Sequence, residues 1–352
     1  MERDRRTSTE DEKYDYSSDA SDSSLLTNYG EKTNTFRTCH YIDDREDGSE
    51  LIKIRMRCAM STRGRNLIVD GQDSTGIMIW PASYLLCQYL AYTLSMPTSS
   101  KTEDVNSCNR ILELGCGCGI VGITAAITAS RFRKNTDANL DIISTDMDQL
   151  SIDLCSKNME LNNLEIDGSG YENKVQLKAR TMTWGDMNRS KQIMSEFRYN
   201  HEDIDEKVDF AIGADIVYPD ISEEVLSFLF QTVSAILKYN GSFMLSFVNR
   251  DYFVCIVRLI NAANDACFKI DYIPLSFFVP DAWSKFLPSM LDAKLLKFTR
   301  ASKDLACEHN NSLGFEGCHV FPGLRASIAR SEEESSVEEW EAPGYVSDES
   351  NR

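Results

Sequence analysis

The sequence predicts an α/β fold, a mostly parallel sheet with helices on both faces, preceded by a β-hairpin and a helix. Three observations predict it. From Arg110 to about residue 303, strand-like and helix-like segments alternate, the order that covers both faces of a parallel sheet with helices. The first of these strands, "RILEL" (110–114), runs straight into "GCGCG" (115–119) and then into the helix-like "IVGITAAITAS", the strand, tight turn and helix with which open α/β sheets hold a small molecule. Hydrophobic residues make up 42% of the 352, enough to bury a core.

The two ends read differently. Residues 1–50 carry 14 acidic against 7 basic side chains and include "SSDASDSS", a composition with little to bury against the entropy of ordering. Residues 331–352 carry 8 acids and one Arg, so the two ends supply −14 of the net charge of −18. Both are expected to be disordered acidic tails, in which Trp340 and Tyr345 are the residues to carry any partner contact. The domain between them, 51–330, is near neutral. That excludes a nucleic-acid footprint. No apolar leader and no run of about 18 apolar residues is present, so the expectation is a soluble, cytoplasmic, monomeric protein with no membrane partner. The eleven cysteines are scattered through apolar stretches without a repeated spacing. They read as buried thiols of a reducing compartment. Cys116 and Cys118 form a C-x-C pair without the second pair of a zinc site, so no metal is expected.

Taken in order, "LIKIRMRCAM" (51–60) alternates apolar and polar residues and "NLIVD" (66–70) is a second short strand, together a hairpin. "MIWPASYLLCQYLAYTL" (78–94) is a helix with Pro81 in its first turn, and 95–107 is a polar linker. The core spans 108–303. After the first strand and helix come a strand "LDIISTD" (140–146), a helix (148–162), a strand "KVQLKAR" (174–180) and "TMTWG". A polar insertion of about twenty residues follows. Then come a strand "KVDFAIGADIVY" (207–218), a helix (222–239) opened by Ser222 and two acids, a strand "GSFMLSFV" (241–248), a helix (252–265), a strand (267–275) and a last strand at 295–303. Ser and acids opening a helix satisfy its free amides and its dipole.

In such a sheet the ligand lies beyond the carboxyl ends of the strands. Four places qualify: the loop after Leu114, Asp146, Trp184 with Gly185, and Asp215 to Tyr218. Gly115, Gly117 and Gly119 fit G-x-G-x-G, while Gly117, Gly119 and Gly122 fit the dinucleotide pattern G-x-G-x-x-G. The loop alone does not decide. Glu113 tilts the balance, because an acid would oppose a pyrophosphate yet favour the ammonium and sulfonium of S-adenosylmethionine. Asp146 is placed to accept both ribose hydroxyls, or else to cap the next helix, a task Asp148 could take instead. Trp184 either covers an adenine face or merely ends a strand. Asp215 and Tyr218 stand where the donor's methyl should lie, the bland alternatives being a turn cap and a packing ring.

Several motifs now agree. "TGIMIWPAS" (75–83), "ILELGCGCGIVGI" (111–123), "STDMDQLSIDLCSKNMELN" (144–162), "TWG" (183–185) and "GADIVY" (213–218) stand in a familiar order and spacing. Over residues 50–275 the chain resembles the seven-strand (class I) S-adenosylmethionine-dependent methyltransferases, within them the methyltransferase-like protein-lysine methyltransferases with a D-x-x-Y motif. The resemblance implies a Rossmann-like seven-stranded sheet and S-adenosyl-L-methionine as cofactor. It implies that Trp80 lines the cofactor pocket, that Glu113, Gly115, Gly117, Gly119, Asp146 and Trp184 bind the cofactor, and that Asp215 and Tyr218 shape the pocket for the target amine. The chain departs from the pattern at Cys116, Cys118 and Thr183 and over 276–294. The implied reaction is methyl transfer to a lysine ε-amine of an abundant cytosolic protein, such as a chaperone or an elongation factor. The alternatives are a histidine or small-molecule acceptor, an NAD-linked oxidoreductase, and a catalytically silent module that binds cofactor.

Overall fold

Strands buried on both faces are predominantly apolar, and the centre of this molecule follows that tendency. The computed structural model describes residues 30–37, 51–59, 68–69, 72–73, 75–96, 108–133, 139–164, 174–198, 206–248, 254–278, 293–301, 304–306 and 310. Apart from residues 30–37, the two segments read as tails, including Trp340 and Tyr345, fall outside the described residues, as does most of the 95–107 linker. The strands are β1 (Gly30–Arg37), β2 (Leu51–Cys58), β3 (Ile68–Val69), β4 (Gln72–Asp73), β5 (Arg110–Leu114), β6 (Leu140–Asp146), β7 (Val175–Thr181), β8 (Val208–Ala214), β9 (Leu237–Val248), β10 (Phe268–Ile273) and β11 (Ala293–Arg300). The helices are α1 (Pro81–Leu94), α2 (Ile120–Phe132), α3 (Gln149–Leu161), α4 (Met187–Met194), α5 (Glu223–Ile236) and α6 (Val254–Asp265).

Seven strands form the main sheet in the order β10-β11-β9-β8-β5-β6-β7. β9, β8, β5, β6 and β7 pair in parallel. β11 runs antiparallel between β9 and β10. All five residues of β5 are buried, as a central parallel strand requires. The chain reverses its direction of travel across the sheet between β5 and β8, the switch point at which open α/β sheets hold their ligands. Helices α1, α2 and α3 pack on one face with Leu86, Ile111, Ile123 and Ile142 between them. Helices α4, α5 and α6 pack on the other over Leu112, Phe230, Phe243 and Phe298. The expected α/β architecture is therefore present.

Three details differ from the sequence reading. β2 pairs with β1, inside the segment read as tail, and not with 66–70, whose strand β3 pairs with β4. The polar insertion contains α4, which buries only Ser190, Ile193 and Met194. β9 begins at Leu237, directly after α5, so Lys238 and Tyr239 are strand and not helix.

Candidate active site

The glycine loop leaves β5 at Leu114. Gly115, Gly117 and Gly119 all have positive φ, at 65°, 52° and 87°, backbone that a side chain strains. All three also lack room. A β-carbon on Gly117 would stand 2.6 Å from the Gly76 carbonyl oxygen, and one on Gly119, the residue capping α2, 2.3 Å from Cys155 Sγ. The loop is tied to the neighbouring strand by Cys116 N–H, which donates to Thr145 O at 2.8 Å.

Glu113 holds the loop from below. Its side chain shares the Ile111 face of β5, and its Oε2 accepts from Gly122 N–H at 3.2 Å and from the Ser144 hydroxyl. It is 2% exposed. Burial pushes its carboxyl up to about 8, against the pull of the Ser144 and Gly122 hydrogen bonds. The structure thus turns Glu113 onto α2 and β6; it braces the turn that the sequence reading has it line.

At the end of β6, Asp146 Oδ2 accepts from Gly117 N–H at 2.9 Å and Oδ1 from Asp148 N–H at 3.1 Å. Burial raises its carboxyl above the ordinary range. Asp148 takes the helix cap, accepting from Leu150 and Ser151 N–H, which leaves Asp146 to the glycine loop. The next residue, Met147, is 74% exposed. An exposed, polarizable side chain at a strand end suits an aromatic ligand face, and only its place after Asp146 could have pointed to it in the sequence.

Trp184 lies across the loop. Its Cζ2 is 3.7 Å from where a β-carbon on Gly115 would stand, and Ile216 Cγ2 is 2.6 Å from the same point. Gly185, with φ of 88°, donates its N–H to Thr232 Oγ1 at 2.8 Å and fixes the turn after the indole. Ahead of the core, the 75–77 turn packs Gly76 on Gly117, and Trp80 Nε1 donates to Thr75 O at 3.0 Å. Segments 75–83, 115–119, 146–147, 184 and 215–216 therefore meet around one loop.

Asp215 follows β8 with φ of 57°, an uncommon conformation for a residue with a side chain. Its N–H donates to Ser246 O at 2.8 Å, and its Oδ2 accepts from Ala82 N–H at 3.3 Å in the first turn of α1. Ser246 Oγ in turn donates to Ala82 O at 2.7 Å. Trp80, which precedes α1, supplies no cap of its own, so Asp215 serves that helix from another element. Tyr218 stands on the outer rim, 48% exposed.

The sequence matches a family model described as lysine methyltransferase over residues 65–253. The chain belongs to this lysine methyltransferase family. No curated protein matches the chain closely enough to add to this. Among solved structures, a TehB-like SAM-dependent methyltransferase from Corynebacterium glutamicum is 14% identical, with 65% of this chain and 91% of that one covered and a TM-score of 0.35. An O-methyltransferase from a trans-AT PKS multienzyme of Brevibacillus brevis, in complex with S-adenosyl-L-homocysteine, is 13% identical over 74% and 86% of the two chains, with a TM-score of 0.38. PKMT2 from Rickettsia typhi, in complex with AdoHcy, is 17% identical over 53% and 27%, with a TM-score of 0.29.

This methyltransferase takes its methyl group from S-adenosyl-L-methionine. The residues present fit that donor. The loop keeps bare, positive-φ backbone at three glycines, Asp146 sets a carboxyl group against it at Gly117 N–H, and Trp184 and Ile216 supply apolar surface beside it. Cys116 and Cys118 line the loop as spectators. A hydrogen bond with Cys155, then burial, pushes the Cys116 thiol well up, and burial does the same to Cys118, so neither is a thiolate nucleophile.

Proposed function

We propose that this methyltransferase acts on the ε-amine of a lysine in a protein substrate. The observation that carries the reading is Asp215: a buried carboxylate in strained backbone at the end of β8, one residue from Ile216, which packs on the glycine loop. Strain of this kind persists where surrounding structure enforces it, and it clusters at working sites. Tyr218, exposed on the same segment, offers a wall that an extended side chain can reach from outside.

Bound S-adenosylmethionine supplies an electrophilic methyl on a cationic sulfur. The chain's own residues must present a neutral amine to it, although free lysine titrates near 10.4. Burial of the amine and a nearby positive charge both lower that value. A carboxylate acts in the opposite sense, so Asp215 is assigned to orientation and not to deprotonation: it accepts an N–H of the incoming amine as it accepts that of Ala82. Tyr218 closes the pocket against water, and the acceleration comes mainly from holding amine and methyl in line.

The test is transfer of labelled methyl groups from the donor to proteins of a cell lysate, followed by complete acid hydrolysis. Label in methyl-lysine that disappears with Asp215→Ala supports the reading. Label in methyl-histidine, or only in small molecules, refutes it.

A further inference from the structure

The β1–β2 ribbon is joined to the core by two side chains that behave as a strand would. Asn162 Oδ1 accepts from Arg55 N–H at 2.9 Å, and its Nδ2 donates to Arg55 O at 2.6 Å. One turn earlier, Asn158 Oδ1 accepts from Arg57 N–H at 2.7 Å, and its Nδ2 donates to Arg57 O at 3.0 Å. The match follows from geometry. Four residues of helix rise about 6 Å, close to the roughly 6.6 Å between alternate residues of a strand. The amides of α3 thus continue the ladder on the edge of β2 that faces away from β1.

Asn158 does one thing that Asn162 does not. It is fully buried, and its Nδ2 also donates to Cys118 O at 2.9 Å, inside the glycine loop and between the two positive-φ glycines Gly117 and Gly119. One side chain therefore grips the ribbon and the loop together. Gly117 N–H, on the near side of the same turn, is the group held by Asp146.

We propose that Asn158 is a positioning residue for the methyl donor, and that through it the docking of the β1–β2 ribbon and the affinity for donor are coupled. By fixing the Cys118 carbonyl it sets the orientation of the peptide planes that cradle the ligand, without touching the ligand itself. Coupling of this kind is reciprocal, so donor binding must also tighten the ribbon. The inference rests on the donor site and is independent of the acceptor.

The two asparagines provide their own control. Asn162→Ala removes a pair of ribbon bonds, together with the Asn162 Nδ2 bond to Asn158 O within the last turn, and leaves the loop alone; Asn158→Ala removes the equivalent ribbon pair and frees the loop. Titration calorimetry with S-adenosylhomocysteine should give a Kd within about twofold of wild type for Asn162→Ala, as expected of an uncoupled site, and one raised about tenfold or more for Asn158→Ala. Turnover at saturating donor should stay near wild type in Asn158→Ala while the donor KM rises. In the wild-type protein, S-adenosylhomocysteine should slow hydrogen exchange of the Arg57 amide more than that of Arg55. If Asn158→Ala fails to fold, Asn158→Asp keeps the size and the acceptor for Arg57 N–H, loses the donor to Cys118, and is expected to weaken binding alike. Equal Kd values for the two asparagine variants, whether unchanged or equally raised, overturn the coupling and leave the donor site standing. Wild-type protein that binds no S-adenosylhomocysteine overturns both.

Discussion

Two carboxylates near the glycine loop divide the work, and their surroundings decide how. Asp146 holds the glycine loop through Gly117 N–H, while Glu113 is buried under α2 and titrates at about 8 in place of its ordinary 4.5. Between these values the unfolded chain has released a proton that the folded chain keeps, so folding stability falls as the pH rises from about 4.5 to about 8. The contribution is fully present below 4.5, and the raised Asp146 acts in the same direction. Glu113→Gln has no proton to lose there and keeps an acceptor for Gly122 N–H. Thermal melts across this range should show wild type losing stability with rising pH relative to the variant; parallel curves would sink the assignment. The sequence made Glu113 and Asp146 visible as acids at strand ends, but not their directions. Period two puts Glu113 on the Ile111 face of β5, but with apolar residues on both faces nothing in the strand told that α2 covers that face. Whether Asp146 or Asp148 capped α3 was open for the same lack of local contrast, and the bonds to Leu150 and Ser151 assign the cap to Asp148.

At the scale of elements, the strand and helix alternation of the core was legible because each piece is long and strongly apolar. Those that escaped were polar. "GEKTNTFR" (β1) sits among charges and forms a strand because Asn34 and Phe36 are buried beside β2, a tertiary gain that composition cannot show. "MNRSKQIM" (α4) is held by its cap, Asp186, which accepts from Arg189 N–H at 2.9 Å, and by three buried side chains. Caps also separate structural from functional acids. Asp148→Ala should cost about 1 kcal/mol by loss of the α3 cap and leave methyl transfer at saturating donor intact. Denaturant unfolding with a parallel activity assay checks this. A loss of turnover with unchanged stability would place Asp148 in the site instead.

For the molecule as a whole, the segments that meet around the glycine loop, where we propose the donor binds, are distant in sequence, from the 75–83 stretch to the 215–216 corner. A ligand that binds the folded chain alone must then stabilise all of them at once. S-adenosylhomocysteine at about 100 times its Kd should add about 2.7 kcal/mol to unfolding, read as a raised Tm, whereas NAD at the same concentration should leave the Tm in place; the reverse pattern would contradict the donor assignment. The amide ladder of Asn158 and Asn162 has a consequence of a different kind. A two-stranded ribbon standing apart from the main sheet would offer its outer edge to any neighbouring chain, and unpaired edges of this sort seed aggregation. At Arg55 and Arg57 that edge is already taken, by side chains that cannot propagate a strand further. The same two asparagines that fasten the ribbon therefore close this stretch of its edge to a further strand.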